Sequence, residues 1–193
     1  MEGLINIDGE RKYLNQEERE AFYKIAKTSE KDKKYFALLL YYTGARLNEI
    51  LSLTIKQIDL SNQDIIIQSL KKRGRTHFRA VPVPEAFIEE LAGAYDLRRL
   101  MKNRQKNANQ LLFSFVDRTA KRYIKQMMTQ AGIQGPMASA KGLRHSYGVK
   151  AVEEEIPVTV LQDLLGHSFL KNTSIYTKVQ GKEKRNVVSK MWG

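Results

Sequence analysis

Four residues of this 193-residue chain have side chains that together could break a phosphodiester bond. They are Arg46, Arg144, His167 and Tyr176. An arginine can hold two non-bridging phosphate oxygens at once, a histidine can give or take a proton, and a tyrosine oxygen can attack phosphorus. This chemistry requires neither a metal ion nor ATP. We therefore expect no cofactor.

The sequence around two of these residues favours a fixed position beside a cleft. Arg46 follows Gly44, where a glycine ends an apolar helix. Glu49 lies three positions after Arg46, so its carboxylate can orient the guanidinium group. His167 follows Gly166 in a similar way. We expect Arg46 and His167 to point into a site rather than to form isolated surface contacts.

Tyr176 differs from most of the nine tyrosines of the chain by its surroundings. Tyr41, Tyr42 and Tyr147 have the helical spacing of core residues. Tyr176 lies in a short polar stretch, residues 172–177, which is poorly suited to burying a phenol. The pattern predicts that Tyr176 is presented to the substrate as the nucleophile.

The order and spacing of these motifs resemble the tyrosine recombinase (phage integrase) family. The resemblance covers nearly the whole chain and includes the step of nine residues from His167 to Tyr176. Its motifs are residues 43–50, 141–146 and 164–167. It implies an α+β, mostly helical catalytic domain with a small antiparallel hairpin at its edge. It also implies a reaction that joins Tyr176 to a DNA 3′-phosphate.

The resemblance further implies one catalytic domain over residues 1–193, without a separate N-terminal core-binding domain. Fimbrial-type DNA invertases are similar short members. A fragment of a longer protein would have the same sequence, so both interpretations stay open.

Neighbouring residues receive roles from the same resemblance. Lys141 stands three positions before Arg144, where the family has a histidine or, less often, a lysine. A lysine adds positive charge, but it is a cation near neutral pH and so a poor proton acceptor. His145 follows Arg144, and a helix histidine commonly bonds a backbone carbonyl. We expect supporting positions for His145 and Glu49.

A basic turn, residues 71–77, lies between two runs that have the composition of strands. The isoleucines at 65–67 and the alternation over residues 78–83 predict an antiparallel pair. In the family, a lysine of this hairpin protonates the leaving 5′-oxygen. Lys71 and Lys72 both fit by position, but adjacent strand residues point to opposite faces. We prefer Lys71 as the general acid.

The charge of the chain favours DNA as a partner. It has 33 Lys+Arg against 21 Asp+Glu, a net charge of +12, and such a balance favours polyanions. No stretch is long and apolar enough to cross a membrane, so we expect an intracellular protein of prokaryotic, viral or mobile-element origin. The cations expected to contact DNA phosphates are Lys72, Arg73, Arg75, Arg79, Lys121, Arg122 and Lys125.

Helical periodicity dominates the rest of the sequence. Residues 15–18 have the spacing of a capping box and start a helix that ends near Thr28. A second helix is predicted over residues 31–42, and the polar stretch 103–109 is predicted to be a loop. Further helices are predicted at about 85–100, 117–131, 140–154, 157–165, 172–178 and 182–191.

Double-stranded DNA, a homotetramer on paired recombination sites and an accessory DNA-binding protein are the partners that the resemblance suggests. Integration, inversion and resolution all use the same chemistry. A type IB topoisomerase-like enzyme and a catalytically silent DNA-binding regulator stay open as alternatives, although a complete set of site residues argues against the regulator. The C-terminal residues 182–192 are expected to pack against a neighbouring copy or against their own domain.

Overall fold

The computed structural model describes residues 3–69, 77–178, 185, 188, 189 and 191, without the side chains of residues 104 and 105. Within these ranges the protein is mostly helical with a three-stranded antiparallel sheet, so the predicted fold class is confirmed. The helices are α1 Gln16–Thr28, α2 Lys31–Thr43, α3 Leu47–Leu51, α4 Glu85–Ala94, α5 Leu97–Lys102, α6 Arg104–Asn107, α7 Asp117–Gln130, α8 Ala140–Glu153 and α9 Val158–Leu165. The strands are β1 Ile58–Asp59, β2 Asp64–Ser69 and β3 His77–Pro82, and 3₁₀ helices lie at Ile55–Gln57, Leu170–Asn172 and Ser174–Lys178.

The first two helices begin and end where the sequence predicts. The Asn15 side chain accepts from the backbone N–H of Glu18, whose carboxylate accepts from the N–H of Asn15, which completes the capping box of α1. Helix α2 ends at Gly44, which has a φ of 58°, in the left-handed region that glycine adopts readily. The turn at Gly44 places Arg46 at the N-cap of α3 rather than inside that helix.

The predicted antiparallel strand pair is confirmed. Ile65 faces Val81 and Ile67 faces Arg79 across β2 and β3, so these four residues lie on the buried face of the sheet. Strand β1 adds a short third strand beside β2. Residues 70–76, between β2 and β3, lie outside the described residues, and with them the predicted basic turn and its Lys71, Lys72, Arg73 and Arg75.

Helix α8 joins two apolar clusters. Leu143 belongs to the larger cluster, which is built around α2, the sheet, α4 and α7. Val149 belongs to a smaller cluster with Leu4, Tyr13 and Tyr176. Each fully buried aliphatic side chain contributes on the order of 1.5–3 kcal/mol. Helix α8 is thus packed on two sides, which makes it a rigid carrier for the residues between 141 and 148.

Some predicted elements differ from the structure. The helix expected at 85–100 is divided into α4 and α5 at Asp96, which has a φ of 51°. The loop expected at 103–109 was wrong in part, because α6 lies within it. Most of the helix expected at 182–191 lies outside the described residues. No helix within the described ranges has the length and apolar character needed to cross a membrane.

Candidate active site

A cleft of about 840 Å³ lies where α3, α7, α8 and the segment after α9 meet. It brings together residues that are far apart in sequence. A second cleft of about 440 Å³, beside β1 and α5, contains none of the predicted site residues. The predicted residues that line the first cleft are Arg46, Lys121, Lys141, Arg144, His145, His167 and Tyr176.

Arg46 is held in place by Glu49, as the spacing of the two residues predicts. The carboxylate accepts from the Arg46 backbone N–H at 2.9 Å and from its Nη1 at 2.8 Å. Glu49 is only 1% exposed. Burial alone would raise the pKa of Glu49, but the hydrogen bond and charge of Arg79, together with Arg46, lower it below its usual value. The carboxylate therefore stays ionised and fixes the guanidinium group of Arg46.

Arg79 was predicted to contact DNA, and that prediction is wrong. Its side chain is buried beneath the cleft, where Nη2 donates to Glu49 at 2.7 Å, Nη1 donates to Ser69 Oγ at 3.1 Å and Nε donates to the Leu164 carbonyl at 2.7 Å. Gly166 leaves room for it, because a Cβ there would lie 2.7 Å from Arg79 Nη1. Arg79 anchors the carboxylate that orients Arg46. The alternation of β3, which places Arg79 on the buried face, was the sequence signal for this position.

Arg144 connects the ends of two helices. Its Nη1 donates to the Gly44 carbonyl and its Nη2 to the Leu165 carbonyl, both at 2.8 Å. These carbonyls belong to the C-terminal turns of α2 and α9. Burial, and next the charge of Arg46, lower the pKa of Arg144 to about 10, so it remains a cation at neutral pH. The cleft therefore contains two fixed positive charges.

His167 is neutral and held from both ring nitrogens. Its Nε2 lies 2.9 Å from Arg144 Nη2, and its Nδ1 lies 2.9 Å from Thr173 Oγ1. Because an arginine can only donate, Nε2 accepts and Nδ1 carries the proton that it donates to Thr173. Burial, followed by the charges of Arg144 and Arg46, lowers the pKa of His167 to about 3. Thr173 was missed, since no sequence signal shows that the turn returns its hydroxyl to His167.

Tyr176 is buried, contrary to the expectation that its polar surroundings present it to solvent. It is 1% exposed and packs in the smaller apolar cluster with Tyr13 and Val149. Gly148 provides the slot for its ring, because a Cβ on Gly148 would lie 2.6 Å from that ring. The ring also lies parallel to that of His167, with centroids 6.4 Å apart.

The Tyr176 hydroxyl is directed to a histidine. Its oxygen lies 3.2 Å from His145 Nδ1, so His145, which was expected in a supporting position, contacts the predicted nucleophile directly. Burial raises the pKa of Tyr176, and the charges of Arg144 and Arg46 offset this only in part. The phenol is therefore protonated at neutral pH.

The remaining predicted cations lie around the cleft. Lys141 lies on α8, one turn before Arg144, and lines the cleft wall. Lys121, Arg122 and Lys125 are exposed on α7, with Lys121 at the cleft. Over the described residues, no group of three or more His, Cys, Asp or Glu is arranged to hold a metal ion.

Residues 12–183 match the sequence profile of the phage integrase family. The chain belongs to that family. The resemblance inferred from the motifs is thus confirmed, and the family match includes all the described cleft residues named above.

Relatives within the phage integrase family extend beyond this chain in length. Tyrosine recombinase XerA of Thermococcus kodakarensis is 28% identical over 194 residues, which cover 94% of this chain and 65% of XerA. The chain therefore spans slightly less than two thirds of that relative. A crystal structure of XerA recombinase is similar to this chain with a TM-score of 0.75 and 26% sequence identity. The superposed region covers 93% of this chain and 62% of the XerA chain. The Tn1549 transposon integrase in complex with transposon right end DNA shares the fold, with a TM-score of 0.65, 19% identity and coverage of 98% and 69%.

Proposed function

We propose that this phage integrase family protein is a site-specific DNA recombinase that cleaves and rejoins DNA through a covalent 3′-phosphotyrosyl intermediate. One observation carries the proposal: a single cleft brings two buttressed arginines, a neutral histidine and a tyrosine hydroxyl together. The reaction uses neither a metal ion nor ATP.

In the proposed reaction, Arg46 and Arg144 bind the non-bridging oxygens of the scissile phosphate. Their positions are fixed in advance by Glu49 and by backbone carbonyls, so they stabilise the charge that develops on the phosphoryl group without rearranging. Lys141 adds positive charge at the cleft wall. His167 supports the same phosphate site through Arg144, because its Nε2 accepts from Arg144 Nη2 and fixes that guanidinium group.

Tyr176 attacks the phosphorus, and the bond to the 5′-oxygen breaks. Lys71, which lies outside the described residues, is proposed to protonate this leaving oxygen. The phosphotyrosyl link retains the energy of the phosphodiester bond. The 5′-hydroxyl of another strand can therefore attack it and complete the exchange.

The basic surface next to the cleft is proposed to hold duplex DNA. Lys121, Arg122 and Lys125 are exposed on α7, and phosphate contacts supply most non-specific affinity for DNA. The Tn1549 integrase, which shares the fold, was captured with transposon end DNA. Lys72, Arg73 and Arg75, which lie outside the described residues, are proposed to contact DNA phosphates as well. We further propose that the protein acts as a homotetramer on paired sites, with an accessory DNA-binding protein as a further partner.

Tyr176→Phe tests the proposal directly. The change removes only the phenolic oxygen, so DNA binding should stay and covalent protein–DNA complex should disappear. The substrate is a pool of nicked DNA duplexes with sequences taken from the DNA around the coding sequence. Cleavage next to a nick releases a short strand, so rejoining is prevented and the covalent complex accumulates. The measurement is the protein–DNA band that survives denaturing electrophoresis.

Tyr147→Phe is the matched control, because Tyr147 lies on the same helix as Arg144 and has no proposed part in cleavage. It should form the complex like the original chain, with or without EDTA. Covalent attachment by Tyr176→Phe, or loss of the reaction in EDTA, would show that the proposed mechanism is wrong. Relaxation of supercoiled DNA by monomers without strand exchange would instead indicate a topoisomerase-like enzyme.

A further inference from the structure

The proposed reaction leaves one proton without an acceptor. Tyr176 enters the reaction as a neutral phenol, because its ring is buried. Attack on phosphorus requires the O–H bond to break, so a basic atom within hydrogen-bond reach of the oxygen has to take the proton.

Lys141 does not provide that atom. An ammonium group has three N–H donors and no lone pair, so in its charged form it can stabilise the phosphate but cannot accept a proton. The resemblance allows a histidine or, less often, a lysine at this position, and the charged lysine found here leaves the role of proton acceptor to another residue.

His167 is also engaged elsewhere. Its Nε2 lone pair is directed to Arg144, and its Nδ1–H is directed to Thr173. The ring lies parallel to that of Tyr176 rather than pointing a nitrogen at the hydroxyl. Burial, and next the charges of Arg144 and Arg46, also oppose protonation of this imidazole.

His145 has the required geometry. Its Nδ1 lies 3.2 Å from the Tyr176 oxygen, with the two ring planes inclined at 56°. The residue is 8% exposed and belongs to α8, which is packed on two sides. Its position relative to Arg144, the next residue, is therefore fixed by the helix.

We propose that His145 is the proton acceptor for Tyr176. This inference rests on the proposed function and assigns one more catalytic residue to it. The O–H bond of Tyr176 breaks, an Nδ1–H bond forms, and the phenolic oxygen bonds to phosphorus as the bond to the 5′-oxygen breaks. The 5′-oxygen takes its proton from the general acid. On rejoining, the imidazolium returns its proton to Tyr176.

His145→Asn separates proton transfer from hydrogen bonding. The asparagine oxygen replaces Nδ1 as a hydrogen-bond acceptor but cannot take up the proton. Cleavage should slow by roughly 10²- to 10⁴-fold, the range typical of a lost general base, while DNA binding and the circular dichroism spectrum stay unchanged. Cleavage by His145→Asn at the original rate would overturn the proposal.

A more acidic phenol should rescue this variant. Replacing Tyr176 by 3,5-difluorotyrosine lowers the need for a base, so it should restore much of the rate of His145→Asn. It should give no comparable gain in Arg144→Ala, which lacks charge stabilisation rather than a base. A purely structural role of His145 predicts no selective rescue. Equal effects of fluorination in both variants would therefore contradict the proposal.

The tautomer of His145 in the original chain provides a test that does not require a substituted protein to fold. Nitrogen-15 NMR of the imidazole should place the proton on Nε2 of His145, because Nδ1 has to be the acceptor. A proton on Nδ1 would overturn the proposal. Absence of covalent complex from the original chain would instead reject the proposed function as a whole, so the two failures are distinguishable.

Discussion

The arginines of the cleft are held by charged groups and backbone carbonyls, whereas Tyr176 is held by ring contacts and apolar packing on a 3₁₀ helix. Arg46 and Arg144 each contact partners that are themselves buried or belong to helix ends. The Tyr176 hydroxyl contacts His145, and its ring is enclosed by Gly148 and the smaller apolar cluster.

The two kinds of support respond differently to change. A buried charge that loses its partner retains the whole cost of its desolvation. A single substitution among the partners of Arg46 and Arg144, the arginine half of the cleft, should therefore cause a large loss of stability. The cost of changing apolar packing increases with the volume added or removed. Substitutions around Tyr176, the tyrosine half of the cleft, should therefore cause graded losses of stability. We therefore expect the proposed phosphate-binding residues to be the more fixed part of the site and Tyr176, the proposed nucleophile, to be the more adjustable part.

Glu49→Gln should have the largest effect, because it leaves the Arg79 guanidinium buried without its counter-charge. The side chains of Glu49 and Arg79 are 1% and 0% exposed. Breaking such a pair costs on the order of 3–5 kcal/mol. The free energy of unfolding in urea should fall by about that amount, and the cleavage rate should fall with it because Arg46 loses its orienting carboxylate.

Two further variants serve as controls for Glu49→Gln. The pair of Arg98 and Glu89 has side chains that are 58% and 48% exposed, so Arg98→Ala should change stability by less than about 1 kcal/mol. Glu49→Gln combined with Arg79→Met removes both charges and should be more stable than Glu49→Gln alone. If Glu49→Gln lowers the free energy of unfolding no more than Arg98→Ala does, the expected large loss of stability in the arginine half is disproved.

Gly148→Ala should have an intermediate effect, confined to the tyrosine half. The added methyl group would lie 2.6 Å from the Tyr176 ring, so the ring has to move. Overpacking of this kind costs roughly 1–3 kcal/mol. Covalent complex should decrease strongly, while DNA affinity, measured by fluorescence anisotropy, should stay near that of the original chain.

Gly93→Ala is the matched control, since Gly93 also lies inside a helix, and a Cβ there would meet nothing within 4 Å. It should stabilise the protein by about 0.5–1 kcal/mol, the usual preference of a helix for alanine. Equal losses of DNA affinity and cleavage in Gly148→Ala would indicate that the two halves of the cleft are not separately held.

The smallest effect should come from protonation of His167. Its pKa is about 3 in the folded chain, against an ordinary 6.5, so only the unfolded chain gains this proton as the pH falls below 6.5. The contribution is fully present above pH 6.5 and is lost towards lower pH. Between pH 7 and 5.5 the free energy of unfolding should fall by less than about 1 kcal/mol, because one proton corresponds to at most about 1.4 kcal/mol per pH unit and solvent screening at this half-buried residue reduces the effect.

His167→Gln should flatten this dependence in denaturation experiments, since the remaining histidines and carboxylates are common to both proteins. The window ends at pH 5.5 so that Glu49, whose pKa is lowered, stays ionised throughout. A slope unchanged by His167→Gln would show that the imidazole is not kept neutral by its surroundings.

Local signals predicted the parts of the fold that local residues determine. The capping box at Asn15 and the left-handed Gly44 mark helix ends through their own backbone chemistry, so α1 and α2 were predicted closely. The pairing of Arg46 with Glu49 depends on a spacing of three residues and was predicted in the same way. These features require no information from distant parts of the chain.

Features that depend on distant segments were missed. The ion pair of Arg79 with Glu49 requires the fold to bring the β3 residue Arg79 to α3, a contact 30 residues apart in sequence, so the charge of Arg79 alone suggested a surface position. The polar neighbours of Tyr176 suggested exposure, but Gly148 and Tyr13, from elsewhere in the chain, enclose its ring. Composition describes a segment, whereas burial depends on the surfaces that the fold places against it.

The smaller apolar cluster contains Leu4 and Tyr13 from one end of the described chain and Tyr176 from the other. During synthesis, the arginine network can form once α9 has emerged, because its members all precede that point. The pocket around Tyr176 closes only when the segment that carries Tyr176 packs against Leu4 and Tyr13. A growing chain thus completes the proposed phosphate-binding residues before the proposed nucleophile is in place, and the proposed cleavage is limited to molecules whose translation has passed Tyr176.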